Sequence, residues 1–391
     1  MEPAAVALGM LLGLFAGLIP GIHANTIAEA LKELPLEAEF AAFALAGMVG
    51  AHAVFELVPA IFLFIPDSSS VVAVLPGHRL LLEGRGRLAL NIASFSALAA
   101  VVLSALAFPL ALAFYPVAYA LAKPLVFPML ALLSITLVAS EGRRTPAALL
   151  IFLFSGLLGV LALETPIVRE PLFPAFAGMF ACASLLLSAR QGGRMPEQEK
   201  DGEAGFWEFL PFAALGVLLG LLADLLPAIG SAAQMATLAS LFLFLNAEAF
   251  LATASAVAVS HVVFAFATTA SIGKARIGSI AVIQELIGGG GTAQLPVYAG
   301  AAVVAALVAV GLMALLGKEF AGVVSRADAR KMNLAIMAYL VAMAWVVSGG
   351  TGLLLMATAT GVGLLAPLLG VRRTHLMGFL ILPTMSYYAG V

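Results

Sequence analysis

The chain has 391 residues, of which 63% are hydrophobic and 10% charged, less than half the charged share of about 25% found in soluble domains. With a mean hydropathy of +1.11, this composition excludes a water-soluble globular protein. The net charge of −2 arises from basic and acidic residues scattered over short segments, which excludes a nucleic-acid-binding surface, and the single Cys182 excludes an internal disulfide.

The apolar runs approach the roughly 20 residues needed to cross a hydrocarbon core about 30 Å thick. They do not alternate, so they predict helices rather than barrel strands. The first, Pro3 to Leu31, follows an N-terminus without the basic region of a signal peptide and is expected to be retained. Gly9, Gly13 and Gly17 repeat every four residues along it and put three small residues on one face for close helix packing. The run then breaks at Pro20-Gly21-Ile22-His23-Ala24-Asn25-Thr26. Proline removes an amide and clashes with the preceding turn, and Asn25 or Thr26 can cap a fresh half-helix whose amides and positive dipole end suit an anion.

Further crossings are expected at Phe40 to Val58, Pro59 to Pro76, Leu88 to Ala107, Leu125 to Ser140, Pro146 to Leu163 and Leu172 to Ala189. Pro109 to Lys123 reads as an interfacial or re-entrant piece. His52 sits in the second run, and Ile65-Pro66-Asp67-Ser68-Ser69-Ser70 forms a second broken, hydroxyl-rich segment. The hydrophilic stretch Arg190 to Gly205 then divides the chain, as a linker of residues 190–205 between a first membrane repeat, 1–189, and a second, 206–391.

The second half restates the first. Gly9 to Thr26 matches Gly216 to Ala233 without a gap, 207 positions later. Pro20 falls on Pro227, and Gly230 and Ser231 follow as the second break, while Gly17 becomes Asp224. A carboxylate at a helix centre costs on the order of 2.5–3.5 kcal/mol on insertion scales, so Asp224 is either protonated, paired near the membrane face, or functional. The Ala51-His52-Ala53-Val54-Phe55 motif returns 209 positions later as Ser260-His261-Val262-Val263-Phe264, and the same offset carries Ser70 onto Ser279 and Asp67 onto Arg276. Crossings are expected at Phe209 to Leu245, Phe250 to Thr268, Thr269 to Ile287, Leu295 to Leu316, Met332 to Val347, Thr351 to Leu369 and Leu376 to Ala389. Thr268 to Ser279, with Thr269, Ser271, Lys274 and Arg276, reads as the fourth broken segment.

Seven crossings per half force the repeats into opposite orientations. With the N-terminus outside, fifteen of the 19 Lys and Arg residues fall on the cytoplasmic side, together with the linker. The expected fold is therefore an all-α polytopic membrane protein of two inverted-topology repeats, with broken or re-entrant helices meeting near the midplane. No HExxH, GxSxG or CxxC is present, and Gly311 to Lys318 has the wrong spacing for a P-loop. No enzyme, cofactor or metal site is expected.

The segments GLIPG, Val58 to Ser70, Pro76-Gly77-His78-Arg79 with Gly84, and Arg87-Leu88-Ala89-Leu90 resemble the large permease subunit of tripartite tricarboxylate transporters. His23 and Asp67 replace glycines of the family pattern, Gly273-Lys274 is similar to a family Gly-Lys element, and the chain reads as a divergent, shorter member. The resemblance implies a secondary transporter in the cell membrane that receives carboxylates from an extracytoplasmic binding protein and works with a small membrane subunit. The expected substrate is a small organic anion. Its candidate contacts are Pro20, Gly21, His23, Asn25, Thr26, Asp67, Ser68, Ser69, Ser70, Pro227, Gly230, Ser231, Thr268, Thr269, Ser271, Lys274, Arg276 and Ser279. His52, His261, Asp67 and Asp224 are candidates for ion or proton coupling. The alternatives are a snorkelling role for Lys274 and Arg276, a packing role for the histidines, and, for the whole chain, a polyprenyl-phosphate translocase.

Overall fold

The computed structural model describes residues 2–19, 24–62, 71–188, 205–225, 245–288, 291–325 and 329–390, and these contain helices and no strand. Seven helical stretches among them are long and apolar enough to cross a membrane: Ala38–Phe62, Gly86–Ala139, Gly142–Leu163, Trp207–Asp224, Ala247–Ile272, Leu295–Leu316 and Asn333–Leu368. Large apolar side chains such as Leu106, Leu110, Val117 and Leu121 point outward, as they do where the solvent is lipid rather than water.

The described helices fall into two compact units, and each unit draws on both halves of the sequence. The first comprises Met1–Phe64, Val72–Leu121 and Pro196–Arg326, and the second Ile65–Val71, Ala122–Met195 and Ala327–Val391.

In the first unit, α1 (Glu2–Leu18) packs along α3 (Ala38–Phe55). The glycine stripe is the cause. A Cβ on Gly9 would strike the carbonyl of Ala44, one on Gly13 the carbonyl of Met48, and one on Gly17 the Cβ of Phe55. Two backbones approach this closely only where no side chain intervenes. The contact recurs in the second half between α11 (Phe206–Leu225) and α12 (Ala247–Ile272), where Gly216 meets the Thr253 carbonyl and Gly220 the Ser260 hydroxyl and His261 amide. Ala44 and Ala51 correspond to Thr253 and Ser260 under the 209-residue offset, so the same helix pair is built twice in the same register. Short helices α2 (Ala24–Lys32), α4 (Leu57–Phe62) and α5 (Val71–Leu82), together with α13 (Gly278–Leu286) and the long α6 (Gly86–Ala122) and α14 (Leu295–Ser325), belong to this part of the chain. Gly50 on α3 lets Ala302 of α14 come into backbone contact.

The second unit holds α7 (Val126–Ala139), α8 (Thr145–Leu163), the run α9 (Leu172–Phe176), π-helix Ala177–Cys182 and α10 (Ala183–Ser188), then α15 (Ala329–Leu368) and α16 (Gly378–Ala389). Its glycines contact across the halves reciprocally. Gly159 of α8 lies on the carbonyl of Phe379, next to Gly378, and Gly363 of α15 lies on that of Met179, next to Gly178. Gly378 in turn packs on Phe152 and Ser155, and Gly178 on Met356 and Ala359. This exchange of equivalent contacts has the form of an isologous interface. Outside the spans the unit is tied by Glu141, whose Oε1 accepts from the Arg372 amide at 3.1 Å, from Arg372 Nε at 2.8 Å and from His375 Nε2 at 2.9 Å. Burial works to raise the Glu141 carboxyl, but these donors outweigh it and hold the group at about 2. Burial likewise lowers His375, against the opposing pull of Glu141.

Two expectations are corrected. Pro109 to Lys123 is no separate piece, because α6 continues through Pro109 and Pro116 as one helix to Ala122. Thr269 to Ile287 is not a crossing, since α12 runs unbroken to Ile272 and α13, with 9 residues, rises only about 14 Å at 1.5 Å per residue. The fourth break therefore begins at Gly273 rather than Thr268. Gly273 takes φ 68°, a left-handed conformation that suits glycine, and its amide closes the helix on Thr269. Met332 to Val347 and Thr351 to Leu369 fall on the two pieces of α15, which are divided at the non-helical Gly349 with φ 65° and ψ −159°.

Candidate functional site

Two of the breaks expected from the sequence, with Pro20, Gly21, His23, Pro227, Gly230 and Ser231, lie outside the described residues, as do Asp67, Ser68, Ser69 and Ser70. The remaining candidates lie in the first unit, except that of Thr26 only its place in α2 is described.

Asn25, near the start of α2, reaches a partner 254 positions away. Its Oδ1 accepts from the Ser279 amide at 2.9 Å and from the Ser279 hydroxyl at 3.0 Å. It thus satisfies an orphan donor at the start of α13. Gly278 makes room for it, since a Cβ there would meet the Asn25 side chain. At the other end of the same two helices Lys32 pairs with Glu285, so α2 and α13 run side by side in the same direction. The sequence suggested that Asn25 caps its own half-helix; the structure uses it to join the two halves.

The hydroxyls of Thr268, Thr269 and Ser271, at the start of the fourth segment expected to be broken, are committed locally. Thr268 Oγ1 donates to Ala265 O at 3.0 Å, Thr269 Oγ1 to Ala265 O at 2.7 Å and Ser271 Oγ to Ala267 O at 2.7 Å. Such back-bonding lets polar residues ride in a buried helix, which is why α12 passes through them. Lys274 is exposed and Arg276 half-buried. Arg276 Nε donates to the carbonyl of Asp224 at 3.1 Å, in the last turn of α11, where the helix dipole favours a cation. Its guanidinium lies 5.7 Å from the ring centroid of Tyr119, and Tyr115, also on α6, donates its hydroxyl to Leu221 O at 3.0 Å. Arg276 Nη2 is buried with no hydrogen-bond partner among the described residues.

Asp224 is fully buried and its Oδ2 lies 3.0 Å from His261 Nδ1. By geometry this is a charge contact rather than a hydrogen bond, and among the described residues neither carboxylate oxygen nor Nδ1 has a hydrogen-bond partner. His52 has a carboxylate neighbour as well, Glu56, with Nδ1 and Oε2 3.6 Å apart and both residues buried. Glu56 was not singled out from the sequence. The available signal was its i,i+4 spacing from His52 inside an apolar run.

The described site thus joins a half-buried cation whose Nη2 has no partner among the described residues, two histidine–carboxylate pairs and a helix end capped across the halves. No group of three or more metal-ligating side chains occurs among the described residues. No solved structure matches the chain. It is 24% identical over 391 residues to the uncharacterized protein MJ1079 of Methanocaldococcus jannaschii, with 97% of each chain covered. The family model described as the tripartite tricarboxylate transporter TctA family matches residues 4–378. A chain of apolar membrane-crossing helices matched over nearly its whole length in this way is a multi-pass membrane permease, and it belongs to the tripartite tricarboxylate transporter TctA family.

Proposed function

We propose that the protein is a secondary transporter for a small organic anion bearing carboxylates, coupled to an ion gradient. The observation that carries this reading is Arg276. An arginine held in place by its Nε and by an aromatic face, with Nη2 buried and unpartnered among the described residues, is prepared to receive a carboxylate oxygen. Because Thr268, Thr269, Ser271 and Ser279 already donate or are capped, the guanidinium is the principal anion contact. The breaks around Pro20, Asp67 and Pro227, with Ser68 to Ser70 and Ser231, complete the site in this proposal, and Lys274 lies at its rim.

Two inverted repeats, 1–189 and 206–391, joined by a cytoplasmic linker, with the N-terminus outside and the breaks meeting near the midplane, form the architecture of this reading. The repeated glycine register of the α1/α3 and α11/α12 pairs supports the duplication, and the distribution of Lys and Arg supports the inversion. Partners are an extracytoplasmic binding protein and a small membrane subunit, as the family name implies.

The test is uptake into proteoliposomes of labelled mono-, di- and tricarboxylates, with the binding protein and small subunit supplied from the same genome. Arg276→Gln is expected to reduce uptake at least tenfold while the protein stays inserted and monodisperse. Wild-type uptake by that variant removes Arg276 from the site. Translocation of a polyprenyl phosphate without carboxylate uptake decides for the lipid-carrier alternative.

A further inference from the structure

The first unit contains two buried histidine–carboxylate pairs, and they differ in one informative way. His52 and His261 are equivalent under the 209-residue offset. Their acids are not. In the first half the acid is Glu56, on the same helix as its histidine, and the facing position on α1 is Gly17. In the second half the facing position on α11 carries the acid, Asp224, and the position equivalent to Glu56 is Ala265. Gly17 and Asp224 align, and a Cβ on Gly17 would touch Phe55 and approach the Glu56 amide and the His52 carbonyl. The carboxylate therefore reaches the same place beside the histidine from either wall of the helix pair, and each half supplies it once.

We propose that these are two equivalent proton-binding sites, His52–Glu56 and His261–Asp224, in which the carboxylate has been transposed from one helix to the other. Each pair takes up one proton on its carboxylate, beside a ring Nδ1 that lies 3.6 Å away in the first pair and 3.0 Å away in the second. Unloaded, the pair is a carboxylate with a neutral imidazole and carries −1; loaded, it is neutral overall. A charge is costly in the membrane interior and a neutral pair much less so, which gives each site two states of different mobility. A metal cation fits less well. Calcium and similar ions take six to eight oxygens, whereas each pair offers one carboxylate and one ring, and Arg276 adds a positive charge beside Asp224.

Several titratable groups among the described residues surround the pairs. Asp224 and His261 are faced by Arg276 and by Tyr115 and Tyr119 of α6, and Glu248 at the start of α12 pairs with Arg85. The helices packed on α3 bring Glu2 on α1, Glu29 and Lys32 on α2, Glu285 on α13 and Tyr298 on α14. Lys32 pairs with Glu285 and lies 4.0 Å from Glu29, and Tyr298 rests against Phe43, more than two turns before His52.

The proposal identifies the coupling ion of the transporter reading and rests on that reading for its purpose, but its test needs no substrate. In pH-difference infrared spectra of the purified full chain, the carbonyl stretch of a protonated carboxylic acid is expected to titrate in two components. Asp224→Asn is expected to remove one, Glu56→Gln the other, and the double variant both. Should a variant fail to fold, the wild-type protein labelled with 15N-histidine carries the test: in two of the five rings the Nδ1 shift is expected to move in step with the infrared signal between about pH 4 and 9, as the neighbouring carboxylate becomes a carboxylic acid and the ring stays neutral. Spectra unchanged in both variants, histidine Nδ1 shifts that stay fixed across that range, or removal of the carboxylic-acid signal by sodium at constant pH would each overturn it. Titration without carboxylate uptake defeats the anion reading and leaves the proton sites standing; uptake without titration does the reverse.

Discussion

The helix pairs α1/α3 and α11/α12 share two glycine contacts in one register, Gly9 with Gly216 and Gly13 with Gly220, yet they place their buried carboxylates on opposite walls. The comparison separates two kinds of constraint. Backbone contact fixes which residues must be small, because a Cβ at Gly9 or Gly13 runs into a carbonyl. Charge fixes only where a carboxylate must arrive, and in this chain two different Cα positions deliver it to the same histidine neighbourhood.

The largest effect is expected from moving the acid. Asp224→Gly makes α11 resemble α1 and should abolish one component of the infrared titration and any proton-driven uptake, by at least tenfold. Adding Ala265→Glu to it recreates the first-half arrangement in the second half and should restore most of the lost signal. A double variant that folds, as judged by its melting curve in detergent, but stays as inactive as Asp224→Gly would show that the two walls are not interchangeable.

Next come the glycines themselves. Gly13→Ala drives a Cβ into the Met48 carbonyl, which cannot rotate away, whereas Gly220→Ala meets the Ser260 hydroxyl, which can. The first should cost about 2–3 kcal/mol and the second about 1 kcal/mol or less. Gly300→Ala, where nothing lies within 4 Å, should be neutral or stabilising by up to about 1 kcal/mol through helix propensity. Thermal unfolding in detergent orders the three, and equal losses at Gly13 and Gly220 would remove the distinction between backbone and side-chain neighbours.

A second asymmetry between the halves is Asn25, whose equivalent is Ala232. Asn25→Ala uncaps the Ser279 amide and should cost about 1 kcal/mol, with faster amide exchange in the first turn of α13 as its local signature. Unchanged exchange there would mean that the cap contributes nothing. The smallest effect concerns Glu141, outside the spans. Its carboxyl is held at about 2 against an ordinary 4.5, so the stability it contributes is present above about 4.5 and is lost as the pH falls through about 2. Glu141→Gln should lower the melting temperature of the protein at neutral pH, and the gap to wild type should narrow on acidification below 4.5. A gap that widens on acidification would reverse the sign of the linkage.

Much of this was legible before any coordinates. The four-residue glycine spacing announced the α1/α3 contact, the 207- and 209-residue offsets paired the helices correctly, and Asp224 stood out as a carboxylate in an apolar helix. Other features were hidden for physical reasons. Transposition conceals Glu56, because aligning the halves sets it against Ala265, which says nothing about charge. Back-bonding conceals the continuity of α12, because Thr268, Thr269 and Ser271 look like a polar break until their protons are seen to serve the preceding turn. Asn25 was expected to cap locally, and no local pattern reveals a partner 254 residues away.

The interleaving of both halves in one compact unit also sets a timetable. Gly50 of α3 finds Ala302 of α14 only after about 250 further residues have been made, on the order of 10–50 s at 5–20 residues per second. During that interval α3 is in the membrane with His52 and Glu56 and without the helix that covers Gly50. The pair is neutral when it carries one proton, so the newborn helix waits most comfortably in its loaded state.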